Sequence, residues 1–345
     1  MKTNWLITGG CGFIGARLVN RLLAEDRPPG IRVLDNLSLG RPEDLAALTS
    51  FVTPSFDDLS GPSRRVELIE GDIRDAEVVA CALAGIDVVV HLAAHTGVRP
   101  SLADPLGDAA VNVAGTLNLL EGARRRGISR VIFASSGAAL GETEQPITEE
   151  RLPAPASPYG AAKLTGEAYC SAYAKSYGLG TLALRFSNVY GPGSKRKESV
   201  VAQFMKRAVQ GEPLEIFGSG EQVRDFIYVD DLVEAILLGA AADLDGRFEI
   251  FQIATQVETS VNALAEMIAE IVSAETGEEI EIRRLPSAAG DLARVYADIS
   301  KARRHLGFDP QTTLPDGFRN TFRYFAQEAG SINDTDRLPS RAATS

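Results

Sequence analysis

The chain has 345 residues, 45% of them hydrophobic and 23% charged, and a formal net charge of −11. This length and apolar content suit one large or two smaller globular domains. The acidic balance argues against a nucleic-acid or anionic-membrane partner, since both need a basic surface. Three widely separated cysteines without metal-ligand spacing predict a reducing compartment and no metal site. With no leader-like segment and no run of about 18 apolar residues, we expect a cytoplasmic protein.

Short apolar runs alternate with helical patterns through the first half of the chain. They lie at residues 5–8, 31–35, 66–70, 88–92, 131–135 and 182–186. This alternation predicts βαβ units, and therefore a doubly wound α/β fold with a parallel sheet between two helical layers. Residues 42–65 are longer than a usual connection, and their prolines and glycine predict a short helix followed by a mobile loop.

A glycine-rich turn joins the first predicted strand to an apolar helix. Gly9 permits the tight turn, Gly12 lets the backbone approach a pyrophosphate, and Gly15 lets the helix pack closely on the strand. The free N–H groups at the helix N-terminus favour bound phosphate. The second strand ends at Asp35, 20 residues after Gly15, where a carboxylate accepts a bond from a ribose 2′-hydroxyl. The sequence predicts a dinucleotide site, and Asp35 favours NAD over NADP because it repels a 2′-phosphate.

Polar and small residues follow the next strands at the same predicted edge of the sheet. Asp72 is placed to accept a bond from an adenine amino group, and the Ala93-Ala94 pair leaves room for a cofactor against the backbone. His91 and His95 are better interpreted as structural hydrogen-bonding residues than as acid-base groups. The fifth strand delivers the hydroxyl of Ser136 to this edge.

A helix predicted from Ser157 to about Tyr177 carries Tyr159 and Lys163, four residues apart on one face. An ammonium beside a phenol lowers the phenol pKa and makes the phenolate a useful general base. With a dinucleotide site and a hydroxyl-bearing strand before it in the chain, this pair is the predicted chemical centre.

Eight motifs occur in order along the chain. They are Thr8–Gly15, Asp35–Gly40, Gly71–Ile73, His91–Ala94, Ser135-Ser136, Tyr159–Lys163, Arg185–Gly193 and Arg224–Asp231. With them the chain resembles the extended short-chain dehydrogenase/reductase superfamily, and within it the nucleotide-sugar epimerase and dehydratase family, over about residues 4–328. The resemblance implies a Rossmann NAD-binding domain at 1–178. It implies a smaller α/β substrate domain at 179–329, from which some segments return to the first, and the polar residues 330–345 predict a disordered tail.

The resemblance also implies the cofactor, the substrate class and the residues that bind them. The cofactor is NAD, the substrate is a sugar nucleotide such as a UDP-sugar, and the catalytic residues are Ser136, Tyr159 and Lys163. The residues implied for NAD are Gly9, Gly12, Phe13, Ile14, Gly15, Asp35, Asn36, Gly40, Asp72, Ile73, Leu92, Ala93, Ala94, Asn112, Tyr159, Lys163 and Phe186. The residues implied for the substrate are Ser136, Asn188, Arg224, Asp291, Arg294 and Val295, and Arg99 is a further expected substrate residue. A homodimer through the helices near 104–127 and 157–177 is implied as well.

We expect 4-epimerisation of UDP-hexoses through a transient 4-keto sugar. A 4,6-dehydratase needs an added acid-base pair after the fifth strand, where this chain has Gly137-Ala138. UDP-glucuronate stays open as a substrate, because Arg99 and Lys195 are cations that its carboxylate would need, although Asn188 stands where that branch tends to carry threonine. A non-catalytic NAD-sensing protein is the alternative outside the enzymes, but such members typically lose the tyrosine or the lysine.

Val295 predicts which substituent the site accepts at C2 of the sugar. In the family, the fourth residue after a Gly-Asp pair faces the sugar, and counting from Asp291 gives Val295, with Tyr296 turned away. Because valine is smaller than an aromatic residue, the sequence predicts room for an acetamido group. UDP-GlcNAc and UDP-GalNAc are then further substrates. In the competing interpretation, Val295 simply packs inward.

Overall fold

The computed structural model describes residues 3–56, 59–62, 65–141, 145–244, 246–286 and 294–330, with only the backbone of Arg294. The chain divides into two compact units. The first draws on Met1–Val189, Val223–Glu258 and Leu292–Gln311. The second draws on Tyr190–Gln222, Thr259–Asp291 and Thr312–Ser345. The predicted tail beyond residue 330 lies outside the described residues.

The described residues form short strands and helices throughout. The strands are β1 (Asn4–Thr8), β2 (Gly30–Asp35), β3 (Phe51–Val52), β4 (Val66–Glu70), β5 (Val88–His91), β6 (Arg130–Ser136), β7 (Gly180–Phe186), β8 (Asn188–Tyr190), β9 (Leu214–Phe217), β10 (Val223–Arg224), β11 (Phe226–Tyr228), β12 (Phe248–Ile253), β13 (Thr259–Ser260), β14 (Ile282–Leu285) and β15 (Arg294–Val295). The helices are α1 (Phe13–Leu23), α2 (Pro42–Ala46), α3 (Ala76–Ala82), α4 (Val98–Ala103), α5 (Pro105–Ala109), α6 (Thr116–Arg125), α7 (Pro158–Tyr177), α8 (Val200–Val209), α9 (Val229–Ala241), α10 (Val261–Thr276), α11 (Ser300–Leu306) and α12 (Leu314–Glu328).

An eight-stranded parallel sheet forms the centre of the first unit. Its strand order is β3-β4-β2-β1-β5-β6-β7-β12. Every neighbouring pair is parallel. Apart from the two-residue β3, which precedes β4 in the chain but lies outside it, the chain adds strands outward from β1 in one direction and then from β5 in the other, so the order reverses between β1 and β5. The predicted doubly wound α/β class is confirmed, and a ligand is expected at the carboxyl ends of the strands beside this reversal.

Successive residues of the central strands face opposite helical layers. Ile7 and Val33 belong to a hydrophobic cluster that includes residues of α1, α9 and α11. Leu6 and Leu34 belong to a second cluster that includes residues of α3, α6 and α7. Because both faces of the sheet are covered, its strands are mostly apolar rather than alternating, and the charged Arg32 of β2 and Glu67 of β4 are buried as an ion pair at 2.8 Å.

Two connections differ from their sequence-based prediction. The helix predicted near 104–127 consists of α5, a π-helical turn at Ala110–Gly115, and α6. A Cβ on Gly115 would lie 2.6 Å from Ile73 Cδ1, so the turn packs closely against the segment after β4. Within residues 42–65, the described part holds α2 and also β3, which pairs with β4 and extends the sheet, where a loop was predicted.

The second unit has its own small sheet and helices. In it β9 pairs in parallel with β14, and α8, α10 and α12 pack on one another. The guanidinium of Arg323 donates to both carboxylate oxygens of Glu275, at 2.7 and 3.0 Å, which joins α12 to α10. Among all the described residues, no helix combines the length and the apolar character needed to cross a membrane.

Candidate active site

The glycine turn lies where the strand order reverses. Gly9 has a φ of +72°, and a Cβ there would lie 2.8 Å from the backbone nitrogen of Ala93, just after β5. A Cβ on Gly15 would lie 2.4 Å from the carbonyl oxygen of Gly9, so α1 approaches the turn as closely as a glycine allows. The first turn of α1 holds no acidic residue, and Gly12 at its start gives no side-chain cap. The N-terminal amide groups of α1 therefore suit a pyrophosphate.

Asp35 ties the end of β2 to the glycine turn. Its Oδ2 accepts a bond from the backbone N–H of Cys11 and its Oδ1 from that of Leu37, both at 2.9 Å. Burial raises the pKa of Asp35, and these two N–H donors oppose that rise. Each carboxylate oxygen keeps a second lone pair. The side chain can therefore hold the turn and still accept a bond from a ribose hydroxyl. A Cβ on Gly40 would lie 2.4 Å from the carbonyl oxygen of Cys11, so the Asp35–Gly40 segment packs tightly here.

The Asp72 carboxylate already has partners within the protein. Arg74 donates to it through Nε and Nη2 at 2.9 and 2.8 Å, and Asn36 donates through Nδ2 at 2.9 Å. The Arg74 guanidinium holds the pKa of Asp72 far below its usual range. The neighbouring Ile73 side chain is buried in the core, and its backbone carbonyl accepts the Asn118 amide at 3.0 Å. Of the partners of Asp72, Arg74 is the one that sequence reasoning missed.

The structure brings Ser136, Tyr159 and Lys163 together at the carboxyl edge of the sheet. Ser157 accepts the N–H of Gly160 at 3.1 Å and caps α7, which places Tyr159 in the first turn beside the end of β6. The side chain of Ser136 acts on the hydroxyl of Tyr159 as a hydrogen-bonding neighbour that lowers the tyrosine pKa. The Nζ of Lys163 donates to the carbonyl of Ala134 at 2.8 Å and lies 5.7 Å from the centroid of the Tyr159 ring.

The pKa values in this group differ from the sequence-based expectation. Burial raises the pKa of Tyr159 to about 12, the Ser136 hydrogen bond opposes the rise, and the charge of Asp108 adds to it. Burial also lowers the pKa of Lys163 to about 8, against the charges of Asp108 and Glu167. The predicted net lowering of the tyrosine pKa is wrong for the protein alone. Desolvation of the phenolate dominates, and the lysine ammonium lies over the ring and bonds to a backbone carbonyl.

His91 is the centre of a directional chain of hydrogen bonds. Thr116 Oγ1 donates to the carbonyl of Asn112 at 2.7 Å, so it accepts from Nε2 of His91 at 3.0 Å. Nδ1 of His91 then accepts from Thr8 Oγ1 at 2.7 Å, and that hydroxyl accepts the N–H of Ala93 at 3.2 Å. This network assigns the neutral tautomer protonated at Nε2. Burial lowers the pKa of His91 to about 3, which agrees with a structural role.

Asn112 holds the segment that follows β5. Its Oδ1 accepts the N–H of His95 and its Nδ2 donates to the carbonyl of His95, both at 2.9 Å. Nδ2 also donates to Oδ1 of Asp108 at 2.9 Å. The amide thus fixes the backbone just past Ala93 and Ala94. Sequence reasoning missed Asp108, which no local pattern in the sequence marks.

Of the residues expected to bind the substrate, Asn188, Arg224 and Val295 lie on three separate segments of the first unit. β10 and β15 are parallel neighbours, with Arg224 opposite Val295. The backbone N–H and the Nδ2 of Asn188 both donate to the carbonyl of Asp225, at 3.1 and 3.0 Å. Arg99 is exposed on α4. Asp291 and the side chain of Arg294 lie outside the described residues.

Asp225, which sequence reasoning also missed, joins these segments. Its buried carboxylate accepts the N–H and the hydroxyl of Thr255 at 2.9 and 2.8 Å, and the N–H of Gln256 at 2.9 Å. The backbone of Ala297 donates to it as well. The chain on both sides of Arg224 is therefore fixed relative to the strand that carries Val295.

Val295 and Phe186 contact the hydrophobic core. Phe186 is buried in the cluster that contains α1 and α9, and Val295 is partly buried against the same cluster. The inward-packing interpretation of Val295 thus describes part of its surface.

Among the described residues there is no group of three or more His, Cys, Asp or Glu side chains suited to hold a metal ion.

Comparison with known proteins relates this site to a family. The family model described as the NAD dependent epimerase/dehydratase family matches residues 5–254. The UDP-glucose 4-epimerase of Mycolicibacterium smegmatis is 37% identical over 94% of this chain and 99% of its own. The structure of a UDP-N-acetylglucosamine 4-epimerase from Methanobrevibacter ruminantium, solved with UDP-N-acetylmuramic acid, covers 95% of this chain and 100% of its own, at 32% identity and a TM-score of 0.83. A UDP-glucuronic acid 4-epimerase from Bacillus cereus, solved with UDP-glucuronic acid and NAD, covers the same shares at 30% identity and a TM-score of 0.82.

Proposed function

The chain belongs to the NAD-dependent epimerase/dehydratase family, and from this premise we propose that it catalyses the 4-epimerisation of UDP-hexoses, with UDP-glucose and UDP-galactose as the substrate pair. The observation that carries the proposal is the Ser136–Tyr159–Lys163 group beside the glycine turn. The family resemblance predicted from the motifs is confirmed, and NAD is the cofactor of this family.

The residues at the strand reversal fit NAD. Side chains at Gly9 and Gly15 would collide with the protein's own backbone, so these glycines permit the tight turn and the close packing of α1 that bring the N-terminal N–H groups of α1 to the strand reversal. Asp35 has lone pairs for a ribose hydroxyl and a charge that repels the 2′-phosphate of NADP. Bound NAD⁺ supplies reversible hydride acceptance at C4 of the sugar, which a transient 4-keto sugar requires.

The protein's own groups handle the proton of the sugar 4-hydroxyl. Tyr159 takes that proton as phenolate and returns it, while Ser136 hydrogen-bonds the same oxygen. Since burial raises the Tyr159 pKa in the protein alone, the phenolate needs the positive charge of bound NAD⁺ in addition to that of Lys163. Lys163 supplies positive charge beside the phenolate. Beyond Ser136, Gly137 and Ala138 offer no side chain that moves a proton, and the Ala138 N–H donates to Ser136 Oγ at 3.2 Å. This supports epimerisation over a 4,6-dehydratase, which needs an acid-base pair there.

Tyr159→Phe tests the proposed chemistry. Removing the phenol hydroxyl removes the general base, so we expect conversion of UDP-galactose to UDP-glucose to fall at least about 100-fold. The measurement is chromatography of the nucleotide sugars over time. Tyr169→Phe is the matched control, since Tyr169 is an exposed tyrosine on the same helix. Activity that survives Tyr159→Phe contradicts the mechanism, and a 4-keto-6-deoxy product identifies a dehydratase instead.

We also propose that the site accepts UDP-GlcNAc and UDP-GalNAc. Support comes from the pairing of Val295 with Arg224, which puts the valine beside an expected substrate residue. Because tyrosine is larger, Val295→Tyr should lower turnover of the acetamido sugars steeply and leave that of the plain hexoses largely intact. Assays on both pairs measure this, with Tyr296→Phe as the neighbouring control and the melting temperature as a check on folding. A parallel fall on both pairs contradicts steric selection.

A homodimer through the helices near 104–127 and 157–177 is part of the same proposal. The face available for it includes large apolar side chains in contact with solvent in the single chain. Leu106 on α5 is 82% exposed, and Tyr177 on α7 is exposed as well. Burying such side chains against a second copy is favourable. Sedimentation equilibrium measures the oligomeric state, and the proposal expects the mass of two chains.

A further inference from the structure

Lys163 is a buried cation that requires a counter-charge. The residue is 4% exposed, and its Nζ donates to the carbonyl of Ala134. An isolated ammonium in such a position is unfavourable, because it loses its hydration without an opposite charge. Two carboxylates act on it electrostatically, those of Asp108 and Glu167.

Glu167 is already neutralised by another cation. Nε and Nη2 of Arg185 donate to its two oxygens, each at 2.8 Å, and the hydroxyl of Ser135 lies 2.5 Å from Oε1. Both partners of this ion pair are buried. Because the guanidinium of Arg185 neutralises the Glu167 carboxylate in a bidentate ion pair, little of that negative charge is left to stabilise the Lys163 ammonium.

Among the residues that the structure describes, no arginine or lysine is bonded to Asp108, and Nδ1 of His95 lies 3.5 Å from its Oδ1, which is an ion pair only when that histidine is protonated. Asp108 is 1% exposed, and its Oδ1 accepts the amide of Asn112 at 2.9 Å. Within the described part of the chain, no donor reaches its Oδ2, although the atom is buried. Its helix, α5, packs directly against α7, which carries Lys163. A buried carboxylate oxygen without a partner and a buried ammonium thus occur on two helices in contact.

We propose that Asp108 is a positioning residue that acts through Lys163, as the buried counter-charge of its ammonium group. Together with the Arg185–Glu167 pair, this makes the buried cluster electrically balanced. Its catalytic consequence rests on the proposed function, whereas the charge pairing itself does not. The titratable groups that face this cluster are Tyr159 and Glu167 on α7, Asp108 on α5, His91 on β5, Arg185 on β7 and His95 after β5.

Asp108→Asn tests the pairing directly. The asparagine carbonyl still accepts the Asn112 amide, but the charge is gone, so we expect the Lys163 pKa to fall by about one unit, a tenfold loss of the ammonium form in the alkaline range. The measurement is an NMR titration of the NAD-bound protein with ¹³C-labelled lysine, in which the Lys163 signal is the one that Lys163→Arg removes. Asp104→Asn is the control. Asp104 caps α5 through the Gly107 N–H at 2.9 Å, and asparagine caps equally well.

The outcomes separate this proposal from the proposed function. The counter-charge is supported if the Lys163 pKa is lowered in Asp108→Asn, unchanged in Asp104→Asn and restored in Asp108→Glu. These results do not depend on which substrate the enzyme uses. If the enzyme is active, the fall of kcat on the alkaline side of its pH profile then moves to lower pH by as much as the Lys163 pKa falls. If Asp108→Asn does not fold, Asp108→Ser is the second neutral variant. An unchanged Lys163 titration in a folded neutral variant overturns the proposal.

Discussion

At the scale of single residues, His91 shows how a buried polar side chain becomes structural. Both ring nitrogens have partners, Thr8 on one side and Thr116 on the other, and burial lowers the His91 pKa to about 3. Protonation would place a charge in the core and break the bond in which Nδ1 accepts. Since the folded-state pKa lies below the ordinary value of 6.5, the neutral ring stabilises the fold above about pH 6.5. This contribution is lost as the pH falls toward about 3.

His91→Gln should remove this pH dependence, because glutamine can donate and accept but does not titrate. We expect the difference in unfolding free energy between wild type and His91→Gln to favour wild type near neutral pH. It should shrink by up to about 1.4 kcal/mol per pH unit between about pH 6.5 and pH 4.5. Urea unfolding at several pH values measures it. Buried Asp35 and Asp225 titrate with the opposite sign, but they are common to both proteins and cancel. A pH-independent difference contradicts the assignment.

The residues that sequence reasoning found have local signals, and the missed ones do not. Tyr159 and Lys163 are four apart on one helix, and Asp35 ends a strand at a known distance from the glycines, so spacing identifies them once the glycine turn and the hydroxyl-bearing strand are recognised before them. Asp225 holds Thr255, thirty positions further along the chain. Asp108 matters through its burial against α7. Non-local contacts of this kind have no periodic pattern in the sequence.

At the scale of elements, strong patterns predicted the central strands and weak ones did not predict the edges. The runs that became β1, β2, β4, β5, β6 and β7 are apolar because both faces of the sheet are buried. β3 has two residues, which is too short for a pattern, and β12 lies on the opposite edge after a long return of the chain. The π-helical turn at Ala110–Gly115 was also invisible, because its residues fit an α-helix equally well.

At the scale of the whole molecule, the first unit is assembled from three stretches of chain. Val223–Glu258 supplies β12 and α9, and Leu292–Gln311 supplies β15 and α11. Their side chains complete one face of the central sheet, where α1 also packs. The predicted NAD-binding domain at residues 1–178 therefore contains the glycine turn and the Tyr159–Lys163 pair, but not all of the core that supports them.

A fragment of residues 1–189 should consequently not fold as a stable NAD-binding domain. It lacks five fully buried side chains of this core, Val229, Leu232, Ile236, Phe251 and Ile253. At about 1.5–3 kcal/mol each, these contribute roughly as much as the net stability of a domain, about 5–15 kcal/mol. The fragment also leaves the edge of β7 unpaired, since β12 is its neighbour there. Circular dichroism, dye binding and NAD titration should show loose, aggregating chains. A chain ending at residue 330 is the control and should fold and bind NAD. Cooperative unfolding and NAD binding by the 1–189 fragment would show that the returning segments are dispensable.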